Sequence, residues 1–203
     1  MLETIENKVL SRIYGNGRGW AFSQVDFSGL GARSAIDVSL HRLVARGTIR
    51  RVMRGVYDYP RDSKMLGRTL SPDMDQVARA LARKFGWRIQ PTGPAALNLL
   101  GLSTQVVARI AYLSDGPDRT YSVQGQELLF RHTVLKEAVF KLRQSSLLVQ
   151  VLKTLGQDSI TADTERKLRR FIRDDLRANF LKDTRTASGW IRDTILNICR
   201  EDA

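Results

Sequence analysis

Residues 35–60 read AIDVSLHRLVARGTIRRVMRGVYDYP, and this stretch decides the fold of the N-terminal part. Ile36, Leu40, Leu43 and Val44 recur at helical spacing, so a helix is expected from about Ala32 to Arg46 with those residues facing a core. Its other side presents Ser34, Val38, His41 and Ala45, flanked by Arg33, Asp37 and Arg42. Gly47 suits the helix C-terminus. After it, Ile49, Val52, Val56, Tyr57 and Tyr59 favour strands, and Met53-Arg54-Gly55 suits a hairpin turn in which glycine takes positive φ. The hairpin carries Arg50, Arg51 and Arg54.

Upstream, Leu2, Ile5, Val9 and Ile13 predict a first amphipathic helix, ended by Gly15, Gly17 and Gly19. Ser23 is placed to cap a short second helix to which Val25 and Phe27 lend apolar contacts, and Ser28 to Gly31 form a turn. Three helices followed by a basic hairpin make a winged helix-turn-helix, expected over residues 1–62. A recognition helix needs short, polar side chains near its start, because those residues approach base edges in the major groove. A wing meets phosphates or the minor groove with cations.

Charge distribution agrees. The 203-residue chain has 33 Lys and Arg against 21 Asp and Glu, a net charge of +12. Half of that excess falls between Arg42 and Arg68, where eight basic residues face only Asp58 and Asp62. Such clustering favours a polyanionic partner, and double-stranded DNA fits the module. Asp37 has two readings: it accepts from a cytosine amino group or orients a neighbouring Arg, or it is a solvated helix residue. A winged helix used only for protein docking is the alternative reading of the whole module.

The same run resembles the N-terminal winged helix of AbiEi-type antitoxins. The pattern L-x-x-L-x-x-x-G-x-I-x-R-V-x-R-G-V-Y is carried by Leu40, Leu43, Gly47, Ile49, Arg51, Val52, Arg54, Gly55, Val56 and Tyr57. Residues 92–103, TGPAALNLLGLS, resemble that family's middle segment. The resemblance implies a repressor that binds inverted repeats in its own operon, as paired copies. It also implies a C-terminal part that counters a nucleotidyltransferase-like toxin. It maps DNA contacts onto Arg33, Ser34, Asp37, His41 and Arg42 in the helix and onto Arg50, Arg51, Arg54 and Tyr57 in the wing. It carries over no catalytic residue.

Beyond a linker-like stretch at Gly67 to Pro72, residues 70–203 are expected to form a second, α+β domain for partner binding or antitoxin activity. Ser71-Pro72-Asp73 opens a helix with Val77, Leu81 and Phe85 on its apolar face. A short strand at Trp87 to Gln90, a helix at Ala95 to Leu100, a strand at Val106 to Leu113 and a hairpin about Gln124-Gly125-Gln126 make a small α/β element. From Leu135 the pattern is helical. One helix holds Leu142, Leu147, Leu148, Val151, Leu152 and Leu155 and stops at Gly156. A second starts near Thr161 or Asp163 and holds Leu168, Phe171, Ile172, Leu176 and Phe180, and the last holds Trp190, Ile191, Ile195, Leu196 and Ile198. The fold expected overall is α+β and mostly helical: a winged helix, a small α/β element and a C-terminal helical bundle.

Chemistry-bearing motifs are sparse. Asp163-x-Glu165-x-Lys167 opens an Arg-rich helix, where first-turn acids are expected, and not a sheet on which carboxylates converge on a cation. A single cysteine, Cys199, and two histidines, His41 and His132, make a zinc site improbable. No phosphate-binding GxxxxGK[ST] run or GxSxG elbow occurs, and the Gly15-x-Gly17-x-Gly19 run follows no strand. A non-enzyme without cofactor or metal is expected, with a nucleic-acid-processing enzyme as the remote alternative. The basic run Arg166 to Arg173 reads as a solvated face laced with ion pairs, or as a contact to DNA flanks or an acidic surface. No charged-then-apolar leader opens the chain and no run approaches a membrane span, so a cytoplasmic location is expected.

Overall fold

The computed structural model describes residues 4–103, 109–134, 140, 142–172 and 174–200. The chain mixes helix and strand, with helix predominating toward the C-terminus. It divides into two compact units. One comprises Met1–Trp87 with Arg119–Leu129, the other Arg88–Asp118 with Phe130–Ala203.

The first unit opens with helix α1 (Ile5–Asn16), whose N-terminus is capped by Thr4: Oγ1 accepts from the Asn7 N–H at 3.2 Å. Strand β1 (Ala21–Phe22) follows, then a 3₁₀ helix at Gln24–Leu30. This is the short second helix expected after Ser23. Ser23 is the N-cap, as expected, and Asp26 at the third helical position accepts the Ser23 N–H on Oδ2 at 2.8 Å, as in a capping box. Helix α2 (Arg33–Ala45) leads to β2 (Arg50–Met53) and β3 (Val56–Asp58). The three strands are antiparallel in the order β1-β3-β2. Met53 pairs with Val56 across a two-residue turn, Arg54-Gly55, with Gly55 at φ 73°. Val9, Ile13, Phe22, Phe27, Ile36, Leu40, Leu43 and Ile49 are wholly or almost wholly buried in one cluster, so α1, α2 and the sheet share a core.

Next come β4 (Asp62–Ser63) and β5 (Arg68–Thr69), paired antiparallel. Gly67 was expected to begin a linker; at φ 59° it closes this hairpin instead. Helix α3 (Met74–Phe85) is capped by Asp73 and ends at Gly86 in the left-handed conformation. Its Arg83 pairs with Asp26 and donates to the Ala21 carbonyl at 2.8 Å. The compact first unit therefore runs to Trp87, past the boundary expected between residues 62 and 70.

In the second unit, β6 (Ile89–Pro91) pairs antiparallel with β7 (Arg109–Ser114), and between them lies α4 (Gly93–Leu99), with Pro94 in its first turn. Positions 106–108 of the expected strand lie outside the described residues. The segment Arg119–Leu129, which belongs to the first unit, holds strand β8 (Arg119–Val123) and the start of β9 (Gln126–His132), which flank the expected turn, where Gln124 and Gly125 both take positive φ. Helices α5 (Arg143–Leu155), α6 (Ala162–Phe171), α7 (Arg177–Asp183) and α8 (Gly189–Cys199) follow. They bury Leu148, Val151, Leu152, Leu168, Phe180, Ile191, Ile195 and Ile198 in a second core. A single helix through Leu168 and Phe180 was expected, but the chain divides it. Ile172 leaves α6 in extended geometry and a 3₁₀ turn, Asp174–Leu176, redirects the backbone into α7. Leaving the helix lets Ile172 and Phe180 both reach the core.

Candidate nucleic-acid interface

Helix α2 sorts its residues by burial as an amphipathic helix must. Ile36, Leu40 and Leu43 are fully buried and Val44 is half-buried. Arg33, Ser34, Asp37, Val38, His41, Arg42 and Ala45 are exposed. The spacing did not reveal that Ser39 is buried too; its Oγ donates to the Ala35 carbonyl at 2.8 Å, which satisfies the hydroxyl within the helix. Asp37 lies 3.9 Å from Arg33 one turn earlier, both exposed. Arg42 is 3.9 Å from Glu6 of α1, and Arg46 pairs with the same carboxylate. Those two arginines thus clamp the end of α2 to α1, while the start of α2 stands open.

The three hairpin arginines part company. Arg51 and Arg54 are exposed, Arg54 in the turn itself. Arg50 is engaged at every nitrogen. Nε and Nη2 donate to the two oxygens of Asp58 at 3.0 and 2.6 Å, and Nη1 donates to the Leu70 carbonyl at 3.1 Å. Asp58 is 1% exposed, so the fork compensates a buried carboxylate. The geometry makes Arg50 a strut between β2, β3 and the segment after β5. Tyr57 is likewise partly committed to packing: it is half-buried against the first core, its ring stacked on Phe22 at 6.2 Å between centroids.

Sequence reasoning missed one cation at the hairpin tip. Lys84, from the last turn of α3, donates from Nζ to the Arg54 carbonyl at 3.4 Å. Thirty residues separate it from that turn, and its local spacing marks it only as a C-terminal helix charge.

Elsewhere the expected basic run on α6 is laced with ion pairs. Asp163 receives Lys167 at 2.8 Å and Arg166 at 3.4 Å, and the Lys167 hydrogen bond holds its carboxyl below the usual carboxylate range. Arg173 lies outside the described residues. His132 Nδ1 is 2.9 Å from the Gly116 carbonyl. Among the described residues, no three His, Cys, Asp or Glu side chains gather as a metal site would require, and no helix is long and apolar enough to cross a membrane.

Comparison with known proteins adds a family and a distant likeness. No curated protein matches the chain. A solved structure, titled "Crystal structure of RV2827C protein from Mycobacterium tuberculosis", is 13% identical with a TM-score of 0.40, over 98% of this chain and 83% of that one. The pattern of one protein family spans residues 8–180, and the chain belongs to that family, described as "Family of unknown function (DUF6088)".

Proposed function

We propose that α1 to β3 form a winged helix-turn-helix that binds double-stranded DNA, with α2 as recognition helix and the β2–β3 hairpin as wing. The observation that carries this reading is the solvent face of α2. Its first three turns expose Arg33, Ser34, Asp37 and His41 opposite the buried Ile36, Leu40 and Leu43, ahead of a short hairpin with Arg51 and Arg54 exposed. Small and polar side chains at the helix start admit it to the major groove, and exposed guanidinium groups on the wing meet phosphate. Lys84 adds charge at the same tip. The protein would act in the cytoplasm as a repressor of its own operon, bound as paired copies to an inverted repeat. Its C-terminal part would counter a nucleotidyltransferase-like toxin, in the manner of AbiEi-type antitoxins.

Fluorescence anisotropy on duplexes from the upstream region tests the DNA reading. Affinity should fall steeply with salt. Replacing Arg51 and Arg54 together by Ala should weaken binding to all sequences and shallow the log–log salt slope by about 2, from about 0.9 per phosphate contact. His41→Ala or Arg33→Ala should shift sequence preference instead. Unchanged affinity in the Arg51/Arg54 double variant would refute the wing. Wild-type protein that ignores DNA at low salt would make the module a protein-docking element. Rescue of growth when the chain is co-expressed with an adjacent nucleotidyltransferase-like reading frame tests the antitoxin role, and failure to rescue would remove it.

A further inference from the structure

The β4–β5 hairpin holds the most exposed large apolar side chain among the described residues. Met65 is 91% exposed and Leu66 53%, side by side in the four-residue tip that joins Ser63 to Arg68. Exposing two such residues is costly for a tip with no partner, since apolar surface left in water forgoes about 25 cal/mol per Å². The tip is not slack. Leu66 N–H donates to Ser63 Oγ at 3.2 Å, and Gly67 takes φ 59° to close the turn. Thr69 Oγ1 donates to Asp62 Oδ1 at 2.7 Å, and Leu70 N–H donates to the Arg61 carbonyl at 2.8 Å. Asp62 Oδ2 accepts from Arg18 at 3.0 Å, and the same guanidinium lies 4.7 Å above the Tyr59 ring. The base is thus tied to the body of the unit while the tip projects.

Charge selects the occupant. Lys64 and Arg68 bracket Met65 and Leu66, both are exposed, and among the described residues neither forms an ion pair. The one acid of the hairpin, Asp62, is already met by Arg18. An apolar pair between two free cations suits a polyanion that also offers an apolar slot. Duplex DNA is that ligand: phosphates lie on both sides of the minor groove, and base steps open to Met or Leu wedges.

We propose that the β4–β5 hairpin is a second DNA contact, in which Lys64 and Arg68 bind backbone phosphates and Met65 with Leu66 presses into the minor groove against a base step. This rests on the DNA reading of the first unit and extends the footprint beyond α2 and the wing. It also explains why a hairpin of two-residue strands carries its largest side chains outward.

The test uses the full chain and an upstream duplex with 2-aminopurine placed in turn at steps flanking the α2 footprint. Wild-type binding should raise 2-aminopurine fluorescence at one flanking step, as unstacking does. The double variant Met65→Ser/Leu66→Ser should abolish that rise. Lys64→Ala/Arg68→Ala should reduce affinity about tenfold at moderate salt and shallow the salt slope by about 2. Exposed tip residues carry little folding stability, so both variants should retain the wild-type unfolding midpoint. If wild type binds and both variants match it in affinity, slope and fluorescence, the hairpin proposal is wrong while the α2 reading stands. If wild type binds no duplex, both fail. Wild-type binding to vesicles of anionic lipid that is lost in the Ser variant, without any 2-aminopurine signal, would assign the tip to a membrane surface and overturn the proposal.

Discussion

Replacing Arg50 by Ala should separate folding from DNA binding. Its guanidinium makes two charge-assisted hydrogen bonds to Asp58 and a third to the Leu70 carbonyl. Asp58 is 1% exposed, whereas the Arg50 side chain is 26% exposed. Breaking a fully buried pair by removing one partner costs about 3–5 kcal/mol. Solvent reaches Arg50 and screens part of that, so Arg50→Ala should cost about 2–3 kcal/mol. Arg50→Lys keeps the charge but loses the planar fork, and should recover about half of the loss. Urea unfolding followed by tryptophan fluorescence in a Trp190→Phe background reads the first unit, through Trp87 and through Trp20, packed against Phe22 and Phe27. The midpoint should drop for Arg50→Ala at unchanged slope, and the double variant Arg50→Met/Asp58→Leu should recover most of it, since no uncompensated charge stays buried. Arg51→Ala, exposed and outside this pair, should leave the midpoint within about 0.5 kcal/mol and act on DNA affinity alone. An Arg50→Ala protein that keeps the wild-type midpoint yet loses DNA affinity as Arg51→Ala does would refute the structural role of Arg50.

Two further outcomes follow from the second unit. A Cβ on Gly93 would sit 2.2 Å from Thr154 Oγ1 and 3.0 Å from its Cβ, where α4 packs on α5, so Gly93→Ala should destabilise the protein by about 1–3 kcal/mol. Adding Thr154→Gly should return part of that, by thermal unfolding of both variants; equal melting temperatures for wild type and Gly93→Ala would contradict the close approach. Cys199 is 8% exposed and burial pushes its thiol up, so the thiolate is scarce at neutral pH. Iodoacetamide should label it far more slowly in the native chain than in urea at pH 8, and equal rates would disprove its burial.

Local periodicity was enough for much of this fold. Ile36, Leu40 and Leu43 repeat at intervals that only a helix places on one side, and the β2–β3 turn is marked by a glycine that tolerates positive φ. The open face of α2 was legible for the same reason: apart from the buried Ser39, what is not on the apolar stripe faces water. Legibility ended where a residue's environment comes from distant chain. Arg50 and Arg51 are adjacent and chemically identical, yet alternation along β2 aims one at a buried acid and leaves the other exposed. Ser23 is the cap its residue type suggested, whereas the return contact from Asp26 to the Ser23 N–H shows only in the fold.

The sequence by itself determined the helices, the hairpin turns and a basic N-terminal half, because propensity, spacing and charge are local properties. Only the tertiary structure decided which cations stay free. Asp58 neutralises Arg50, Glu6 holds Arg42 and Arg46, and Asp26 takes Arg83. Arg51, Arg54, Lys64 and Arg68 remain exposed to solvent. It also showed that Gly67, which looked like the start of a linker, closes a second hairpin. The physical reason is the same throughout. An ion pair depends on the distance between groups that, like Glu6 and Arg46, lie forty residues apart, and that distance exists only once the core has formed.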